Sequence, residues 1–566
     1  MKVLLIYPYF LDQRIHAEDV SVTPIGLYYI GALLKENRYD VEILNWYDRN
    51  KNSDEIKKII KDKNPDVIGF SVVNANRWGA IEIAKIARKT LKNVKIVFGG
   101  IGATFLCEHL LKNFKQIDYI VLGEGEYTFL DLLECIYKKE EERIGSIKGV
   151  AFIKDGRLFK TEPSDFIESI DSLPMPAKYF TFQHVISSRG CPSNCTFCGS
   201  PKFWGRRVRF HSPEYFVEQM ELLNKKGISF FYVSDDTFTM REDRVIQICR
   251  NIIERGLKIN WFAISRVNFV SEEMLYWMRK AGCIQISYGV ESGSEKIRQT
   301  LNKNIKTCDI KRAFSLTVKY GILPRAYFIY GSPGETDETI DETINLIKEI
   351  KPLNSIFYIL DIFPGTTLYE DFQSRNKTGE DIWLKKIEDI MYFETDSSLS
   401  KEKILSYGNR LRTEFYKSLP ENVSSIDLID KSDLYEYHAD FLSRLAMTFS
   451  HGDYANIKEI PDKENTAEKL FSKALSYYPD HRAFLGLGII KQKNREYMES
   501  IAILEEARRH YPESEHIAIC LGISYMNIGQ FEKALKCFQA FPDSQTALNY
   551  SDACHRALGN KEASKL

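Results

Sequence analysis

The sequence predicts an α/β protein over residues 1–375 and an all-α region after them. Strand and helix patterns alternate over residues 1–145, and a second alternation repeats six times between residue 184 and about residue 363. Near the C-terminus, a glycine in a helical pattern recurs after 34 residues. Such alternation is typical of parallel sheets covered by helices, and a repeated helical pattern is typical of stacked helix pairs.

Residues 1–145 are predicted to form a doubly wound domain with a parallel sheet between two layers of helices. The expected strands are 2–8, 40–46, 66–73, 95–99 and 118–122, and the expected helices are about 24–36, 53–63, 79–92, 104–112 and 126–137. Ligands bind to this fold beyond the carboxyl ends of the strands. The loops at those ends contain Ser71, Gly99, Gly100, Gly102, Gly123, Glu124 and Gly125. Glycines there would let a ligand approach the backbone closely, or would only form tight turns in a ligand-free domain.

A bridge over residues 146–183 separates this domain from the second alternation. It contains an Asp155-Gly156 hairpin signal and two prolines, Pro174 and Pro176. Residues 184–375 then repeat strand and helix, with strands expected near 184–189, 229–235, 259–266, 285–291, 325–331 and 355–363. Six repeats predict a partial (β/α)6 barrel that is open on one side, with its chemistry at the carboxyl ends of the strands.

Three cysteines, Cys191, Cys195 and Cys198, lie within eight residues. Three thiolates can hold three irons of a [4Fe-4S] cluster and leave the fourth iron without a protein ligand, open for chemistry. The alternative is a structural zinc site with His211 as the fourth ligand. Zinc usually binds two separated pairs of ligands, so the spacing favours the cluster.

The cysteine spacing, with Phe197 between the second and third cysteines, resembles the C-x-x-x-C-x-aromatic-C signature of the radical S-adenosylmethionine (SAM) superfamily. Five later segments resemble ones that recur in that superfamily at the ends of barrel strands: 205–209, 232–236, 265–267, 287–294 and 330–335. The resemblance covers roughly residues 184–375. It implies that the cluster, reduced by a flavodoxin- or ferredoxin-type donor, cleaves SAM to a 5′-deoxyadenosyl radical.

The resemblance also implies a set of SAM contacts, which are Phe197, Asp235, Asp236, Arg266, Glu291 and Ser332. One of the two aspartates would accept the methionyl ammonium, and Glu291 would bond the ribose hydroxyls or pair with Arg266. The Phe197 ring would pack beside the adenine, which the backbone around Ser332 would border. Each side chain could instead be a strand-end cap or a surface ion pair.

Residues 1–145 resemble the cobalamin-binding domain that precedes the barrel in one large branch of this superfamily. In that branch a serine and a double glycine, here Ser71 and Gly99-Gly100, border the slot for the nucleotide tail of the cofactor. Residues 12–16 do not match the D-x-H-x-x-G motif that supplies a histidine to cobalt, so we do not expect His16 to bind cobalt. The mismatch also leaves open a domain that has lost its cofactor.

These resemblances together imply an anaerobic, cobalamin-dependent radical SAM methyltransferase that methylates an unactivated carbon. The first alternative is a rearrangement, cyclisation or oxidoreduction without methyl transfer, with an empty N-terminal domain. The second is a non-catalytic iron–sulfur sensor protein. The substrate, a small molecule or a peptide, cannot be named from one chain.

The C-terminal residues differ in character from the rest of the chain. Residues 376–455 are expected to form a helical extension, and residues 456–566 resemble tetratricopeptide repeats. Gly488 and Gly522 mark the period, and Ala534 and Phe538 share one helix face. Stacked helix pairs commonly bind a protein partner or a peptide, although this region could equally be a scaffold.

The composition is compatible with a cytoplasmic enzyme. The formal net charge is −1, which gives no field to attract nucleic acid or an acidic membrane surface. The sequence has no apolar run long enough to cross a bilayer. Eleven cysteines without a recognisable secretion signal favour a reducing compartment.

Overall fold

The computed structural model describes residues 1–11, 23–47, 52–396 and 398–559. The chain divides into two compact units. The first unit comprises residues 1–313, 325–350 and 354–412, and the second comprises residues 314–324, 351–353 and 413–566. The stretch 12–16, which contains His16, lies outside the described residues.

The first unit begins with a seven-stranded sheet of order β2-β1-β3-β4-β5-β6-β7. Its strands are β1 (Lys2–Tyr7), β2 (Asp40–Asn45), β3 (Val67–Ser71), β4 (Lys95–Gly99), β5 (Tyr119–Val121), β6 (Val150–Lys154) and β7 (Arg157–Lys160). The first five strands are parallel, as predicted. The hairpin assigned to the bridge is instead part of this sheet, because β6 pairs antiparallel with β5. That pairing covers an edge of β5 that would otherwise present open hydrogen-bonding groups.

Helices cover both faces of this sheet. They are α1 (Ile25–Glu36), α2 (Ser53–Lys63), α3 (Arg77–Thr90), α4 (Ile101–Phe105), α5 (Cys107–Asn113) and α6 (Glu126–Lys138). Alternate residues of β1 pack into different hydrophobic clusters, with Val3, Leu5 and Tyr7 in one and Leu4 and Ile6 in the other. This alternation confirms a sheet that is buried on both faces. The helix predicted at 104–112 is two short helices.

The second sheet of the first unit has six strands in the sequential order β15-β14-β13-β12-β11-β8, and its end strands β8 and β15 do not pair with each other. The order confirms an open sheet of barrel topology. The strands in and beside it are β8 (His184–Val185), β9 (Ser188–Arg189), β10 (Arg209–Phe210), β11 (Phe230–Val233), β12 (Asn260–Ser265), β13 (Cys283–Glu291), β14 (Leu323–Tyr330), β15 (Asn354–Ile359), β16 (Asp361–Ile362) and β17 (Ile390–Met391). The helices are α7 (Ser200–Trp204), α8 (Pro213–Lys225), α9 (Glu242–Glu254), α10 (Glu272–Lys280), α11 (Glu295–Thr300), α12 (Thr307–Lys319), α13 (Asp337–Ile350) and α14 (Thr367–Asn376).

The strand expected at 184–189 is split into two pieces. β8 pairs with β11 in the barrel sheet, whereas β9 leaves the sheet and pairs antiparallel with β10. Segment 205–209 was expected at the end of a barrel strand. It leads instead into β10, which lies outside the barrel sheet. The other four segments do follow or end barrel strands.

The prediction of a helical extension is wrong for its first part, residues 377–396. Residues 377–396 contain short 3-10 turns and β17, which pairs antiparallel with β16. Arg77 of α3 holds this stretch, since its guanidinium donates to the backbone oxygens of Ile387 and Glu388 and lies 4.6 Å from the centroid of the Trp383 ring. Pairing of β17 with β16 requires extended backbone, so this stretch cannot continue as an α-helix.

The second unit is helical throughout its C-terminal part. The helices after the barrel are α15 (Lys401–Ser424), α16 (Tyr435–Ser450), α17 (Lys463–Tyr477), α18 (His481–Lys493), α19 (Tyr497–His510), α20 (Glu515–Asn527), α21 (Phe531–Phe538) and α22 (Gln545–Ala557). A Cβ at Gly488 would lie 2.7 Å from the Leu504 side chain, and one at Gly522 would lie 2.4 Å from the Phe538 ring. The two glycines thus allow close helix packing at equivalent places, while the tetratricopeptide assignment stays a prediction. Among the described residues, no helix is both long and apolar enough to span a membrane.

Candidate functional site

The three cysteines lie on the loop that follows β9. Gly190 begins this loop with a φ of 103°, and a Cβ there would lie 2.9 Å from the backbone oxygen of Arg207. Only glycine suits both conditions. The loop is fixed from outside as well, because the Thr196 N–H donates to the backbone oxygen of Leu301.

The thiols of Cys191 and Cys198 are partly buried, and that of Cys195 is buried. A cubane would bind each thiolate through a different iron. Burial raises the pKa of the Cys198 thiol to about 12 and also raises the pKa of Cys195. A bound metal overcomes this effect, since coordination deprotonates a thiol.

His211 cannot be the fourth ligand of a zinc site. Its Nδ1 lies 2.7 Å from an oxygen of Asp171, and its Nε2 lies 3.0 Å from the hydroxyl of Tyr29. The ring is fully buried and stacks on Tyr215, with centroids 4.2 Å apart. Both ring nitrogens therefore already have partners, one on α1 and one in the segment that precedes the barrel.

Asp235 and Phe197, which were expected to contact SAM, have structural roles in this fold. The carboxylate of Asp235 accepts three hydrogen bonds of 2.6 Å, from the Ser187 N–H and from the hydroxyls of Ser187 and Ser188. Asp235 thus anchors the strand that leads to the cysteines and has little capacity left for an ammonium group. Phe197 packs against the large hydrophobic cluster that contains Leu301.

The other aspartate is better placed for a ligand. Asp236 is exposed, and it accepts a hydrogen bond of 2.5 Å from Ser200, two residues beyond Cys198. The hydroxyl of Ser332 is buried and has no hydrogen-bond partner in the part of the chain that the structure describes.

Glu291 pairs with Lys303 and not with Arg266. The Lys303 ammonium donates to Glu291 over 2.6 Å, and both side chains are buried. Glu291 has a φ of 64°, which places it in the left-handed region that side chains rarely adopt. Arg266 instead donates towards the sulfur of Cys195, at 3.9 Å, and to the backbone oxygen of Lys303. The three side chains place two cations and one anion beside the cluster loop.

Glu335 accepts hydrogen bonds from the backbone N–H groups of Gly331 and Ser332, at 2.5 and 3.4 Å. Burial raises the pKa of this carboxyl to about 7, although those two hydrogen bonds lower it. Because the folded state binds this proton more tightly than the unfolded chain does, the folded state loses stability as the pH rises from about 4.5 through 7.

We therefore expect Glu335→Gln to become more stable relative to the unmodified protein as the pH rises. The gain between pH 5 and pH 8 should be roughly 2–3 kcal/mol, because the pKa of Glu335 is about 7 in the folded state and lower in the unfolded chain. Urea unfolding of both proteins at each pH measures the difference. A difference that does not change with pH would contradict the raised pKa.

A mainly apolar pocket lies at the carboxyl edge of the N-terminal sheet. Six of the seven expected cobalamin residues line it, namely Ser71, Gly99, Gly100, Gly123, Glu124 and Gly125. The seventh, Gly102, packs against backbone, where a Cβ would lie 2.6 Å from the carbonyl carbon of Val73. Phe203 and Trp204 of α7 complete the wall, so the pocket adjoins the helix that follows the cysteines.

Four buried charges, Glu124, Glu126, Arg189 and Arg209, form a network that we call the charge bridge. Arg189 donates to Glu124 at 2.7 Å and to Glu126 at 2.5 Å, and Arg209 donates to Glu124 at 2.6 Å. Burial alone would raise the pKa of Glu124, but the hydrogen bonds and charges of Arg209 and Arg189 outweigh it and hold that pKa below its usual range. The bridge joins the N-terminal domain to the strands β9 and β10.

The sequence does not reveal that Arg189, Arg209 and Lys303 form buried ion pairs at this site. Arg189 stands directly before the Gly190-Cys191 pair, but nothing local in the sequence shows that it meets Glu124 across 65 residues. The signal that could have found Lys303 is a lysine between two asparagines shortly after Glu291. That pattern is too common to single out one residue.

Comparison with known proteins agrees with this geometry. The model of the radical SAM superfamily matches residues 185–347, and that of the B12 binding domain matches residues 19–133. A radical SAM domain uses a [4Fe-4S] cluster and SAM, and a B12-binding domain binds cobalamin. The radical SAM match covers the three cysteines, and the B12 match covers most of the pocket.

The proteins similar to the chain include two curated relatives and one solved structure. An uncharacterized methyltransferase of Pyrococcus horikoshii is 33% identical over 382 residues, which are 65% of this chain and 83% of the relative. The anaerobic magnesium-protoporphyrin IX monomethyl ester cyclase of Cereibacter sphaeroides is 28% identical over 396 residues, 66% of this chain and 64% of the relative. The radical SAM methyltransferase TsrM of Kitasatospora setae, solved with cobalamin and a [4Fe-4S] cluster, has the same fold with a TM-score of 0.59 and 16% identity over 84% of this chain and 99% of that one. The chain is thus an enzyme of the radical SAM superfamily, in the branch that carries a B12-binding domain before the radical SAM domain.

Proposed function

We propose that this enzyme transfers a methyl group to an unactivated carbon of a small apolar substrate. The observation that carries the proposal is the shared wall of the N-terminal pocket, which contains both the glycine loops and Trp204 of α7. A cofactor in this pocket would therefore adjoin the helix that begins two residues after Cys198. When bound, the cluster and SAM supply a 5′-deoxyadenosyl radical, and cobalamin supplies a methyl carrier.

The residues of the chain orient these groups. The three cysteines would hold three irons, and Arg266 with Lys303 would place positive charge beside the loop, which favours thiolate. Asp236 is our candidate for the methionyl ammonium of SAM. The apolar pocket walls would take the nucleotide tail of cobalamin, with Ser71 as a polar contact.

The inner face of the barrel sheet supports an apolar substrate. In β12, β14 and β15, half-exposed residues alternate strictly with buried ones. Parallel sheets are usually buried on both faces, so a half-exposed face indicates space beside it. That face carries aromatic rings: Tyr232 lies 4.4 Å from His184 and 5.6 Å from Phe262, and Tyr327 lies 5.9 Å from Tyr358, all as centroid distances. Aromatic walls with few charges favour an apolar or planar molecule.

A second candidate function is radical ring closure without methyl transfer, because one relative is named as a cyclase. Product analysis separates the two, because methyl transfer from SAM yields S-adenosylhomocysteine and radical formation yields 5′-deoxyadenosine. The experiment uses full-length protein, reconstituted anaerobically with iron, sulfide and hydroxocobalamin and then reduced in the presence of SAM. A methyltransferase is expected to form both products, and a cyclase only 5′-deoxyadenosine.

The pocket assignment has its own test at Gly26. This glycine lines the pocket from the first turn of α1, and a Cβ there meets no atom within 4 Å. The side chain in Gly26→Trp would therefore start in open space at the pocket, and we expect hydroxocobalamin affinity to fall by at least about tenfold, or 1.4 kcal/mol. Absorption spectra after desalting measure the retained cofactor. Gly26→Ala is the matched control, and equal retention by all three proteins would refute this pocket.

We also propose two kinds of protein partner for this enzyme. A radical SAM enzyme needs a reductant, and we propose a flavodoxin- or ferredoxin-type donor. In the second unit, a surface groove is lined by the cations Arg508, Arg509, Lys533 and Lys536 and by one acidic residue, Glu505. Its charge would suit an acidic peptide segment of a partner protein.

A further inference from the structure

We infer that the charge bridge couples occupancy of the N-terminal pocket to the geometry of the cluster loop, with Glu124 as a positioning residue. The inference rests on the proposed function in one respect, since it takes cobalamin as the occupant of the pocket. It assigns the coupling to four named side chains, Glu124, Glu126, Arg189 and Arg209.

On the pocket side, the bridge is part of the wall. Glu124, Glu126 and Trp204 all line the pocket. The guanidinium of Arg189 lies 5.3 Å from the centroid of the Trp204 ring and 5.2 Å from that of Tyr29. An occupant of the pocket would therefore contact the side chains that hold Arg189 in place.

On the cluster side, one residue separates the bridge from a ligand. Arg189 precedes Gly190, where the φ is positive and the backbone oxygen of Arg207 leaves no room for a Cβ, and Gly190 precedes Cys191. Arg189 and Arg209 also face each other as backbone partners in the β9–β10 pair. A shift of the Arg189 side chain is thus passed to Cys191 through a segment with little freedom to absorb it.

The bridge is buried but not saturated. Arg189 Nε and Arg209 Nη2 are buried and have no hydrogen-bond partner within the described ranges. Buried donors without partners are rare, and they leave the network able to adopt another arrangement. A pocket occupant would contact Glu124, Glu126 and Trp204 and so favour one arrangement of the bridge, while cluster assembly would fix Cys191 from the other side. Binding of one ligand would then order part of the site that the other ligand needs, so each would bind more tightly in the presence of the other. By thermodynamic linkage, the two increases in affinity must be equal.

The test is a binding cycle on the full-length protein. Hydroxocobalamin affinity is measured with and without the reconstituted cluster, and the electron paramagnetic resonance spectrum of the reduced cluster is recorded with and without cobalamin. In the unmodified protein we expect the cluster to tighten cobalamin binding by at least about fivefold, and cobalamin to change the cluster spectrum. In Glu124→Gln, which keeps the size of the side chain and removes its charge, the ratio should fall below about twofold and the spectral change should be lost.

Glu370→Gln is the matched control. It removes an exposed ion pair with Lys202 of α7 without touching the bridge, and the ratio should stay as in the unmodified protein. A ratio of one in the unmodified protein, or an unchanged ratio in Glu124→Gln, overturns the inference and leaves the proposed function standing. Absence of cobalamin binding in every form overturns the proposed function instead. If Glu124→Gln does not fold, Glu126→Gln takes its place in the test. Because this variant leaves Arg189 paired with Glu124 alone, we expect the ratio of cobalamin affinities with and without the cluster to lie between those of the unmodified protein and an uncoupled one.

Discussion

Replacement of Cys198 by alanine is expected to abolish SAM cleavage. The three cysteines act as one unit, so the loss of one thiolate removes the cluster and not a third of its activity. We expect 5′-deoxyadenosine formation to fall by more than about a thousandfold, a loss typical of groups that act together. Bound iron and sulfide should fall to background, while the fold persists because Cys198 is only partly buried.

The chain supplies its own control for this experiment. Cys308 is an exposed cysteine in the same unit, and Cys308→Ala should keep the iron content and the activity of the unmodified protein. Parallel measurements of iron, sulfide and 5′-deoxyadenosine on the two variants make the comparison. Full iron content in Cys198→Ala would refute the cluster assignment, and the site would have to be reassigned.

The second large effect is expected at the buried ion pair of Glu291 and Lys303. Lys303→Met keeps most of the side-chain volume but leaves the carboxylate of Glu291 buried without its cation. Breaking a buried pair in this way costs about 3–5 kcal/mol of unfolding free energy. Because the pair lies beside Arg266, which contacts Cys195, we also expect weaker SAM binding.

A double-mutant cycle separates the pair from its surroundings. Glu291→Gln with Lys303→Met removes both charges, and the double variant should be more stable than Lys303→Met alone, since no uncompensated charge remains. Urea unfolding gives the four stabilities, and SAM binding is measured on each variant. Strictly additive stabilities would show that the two side chains do not interact in solution.

Much of the fold could be predicted because its signals are local. The strands of the N-terminal sheet are short apolar runs, and their buried positions follow from the period of two along a strand. The predicted strand at 95–99 agrees with β4, and the other four N-terminal strands agree within two residues at each end. The place of the hairpin at 150–160 could not be predicted, because an antiparallel hairpin has the same sequence pattern whether it stands alone or extends a sheet.

In the candidate site, too, the local features could be predicted from the sequence and the contacts between distant residues could not. The cysteine spacing identified the cluster loop because ligands within eight residues are brought together by the local backbone. The role of Asp235 was not predictable, since its three hydrogen bonds come from Ser187 and Ser188, more than forty residues earlier in the chain. Pairing of Glu291 with Lys303 in place of Arg266 was equally hidden, because all three side chains lie near the same strand ends.

The alternation of strands and helices, the three closely spaced thiols and the family that both indicate can be recognised from the amino-acid sequence. The polar contacts between distant residues are known only from the folded chain: Glu124 with Arg189 and Arg209, Lys303 with Glu291, and His211 with Asp171 and Tyr29. The two kinds of feature differ in how far apart along the chain their residues lie. Backbone periodicity and short ligand spacings are set by neighbouring residues, whereas a buried ion pair forms only where packing brings distant elements within 3 Å and excludes water from both charges.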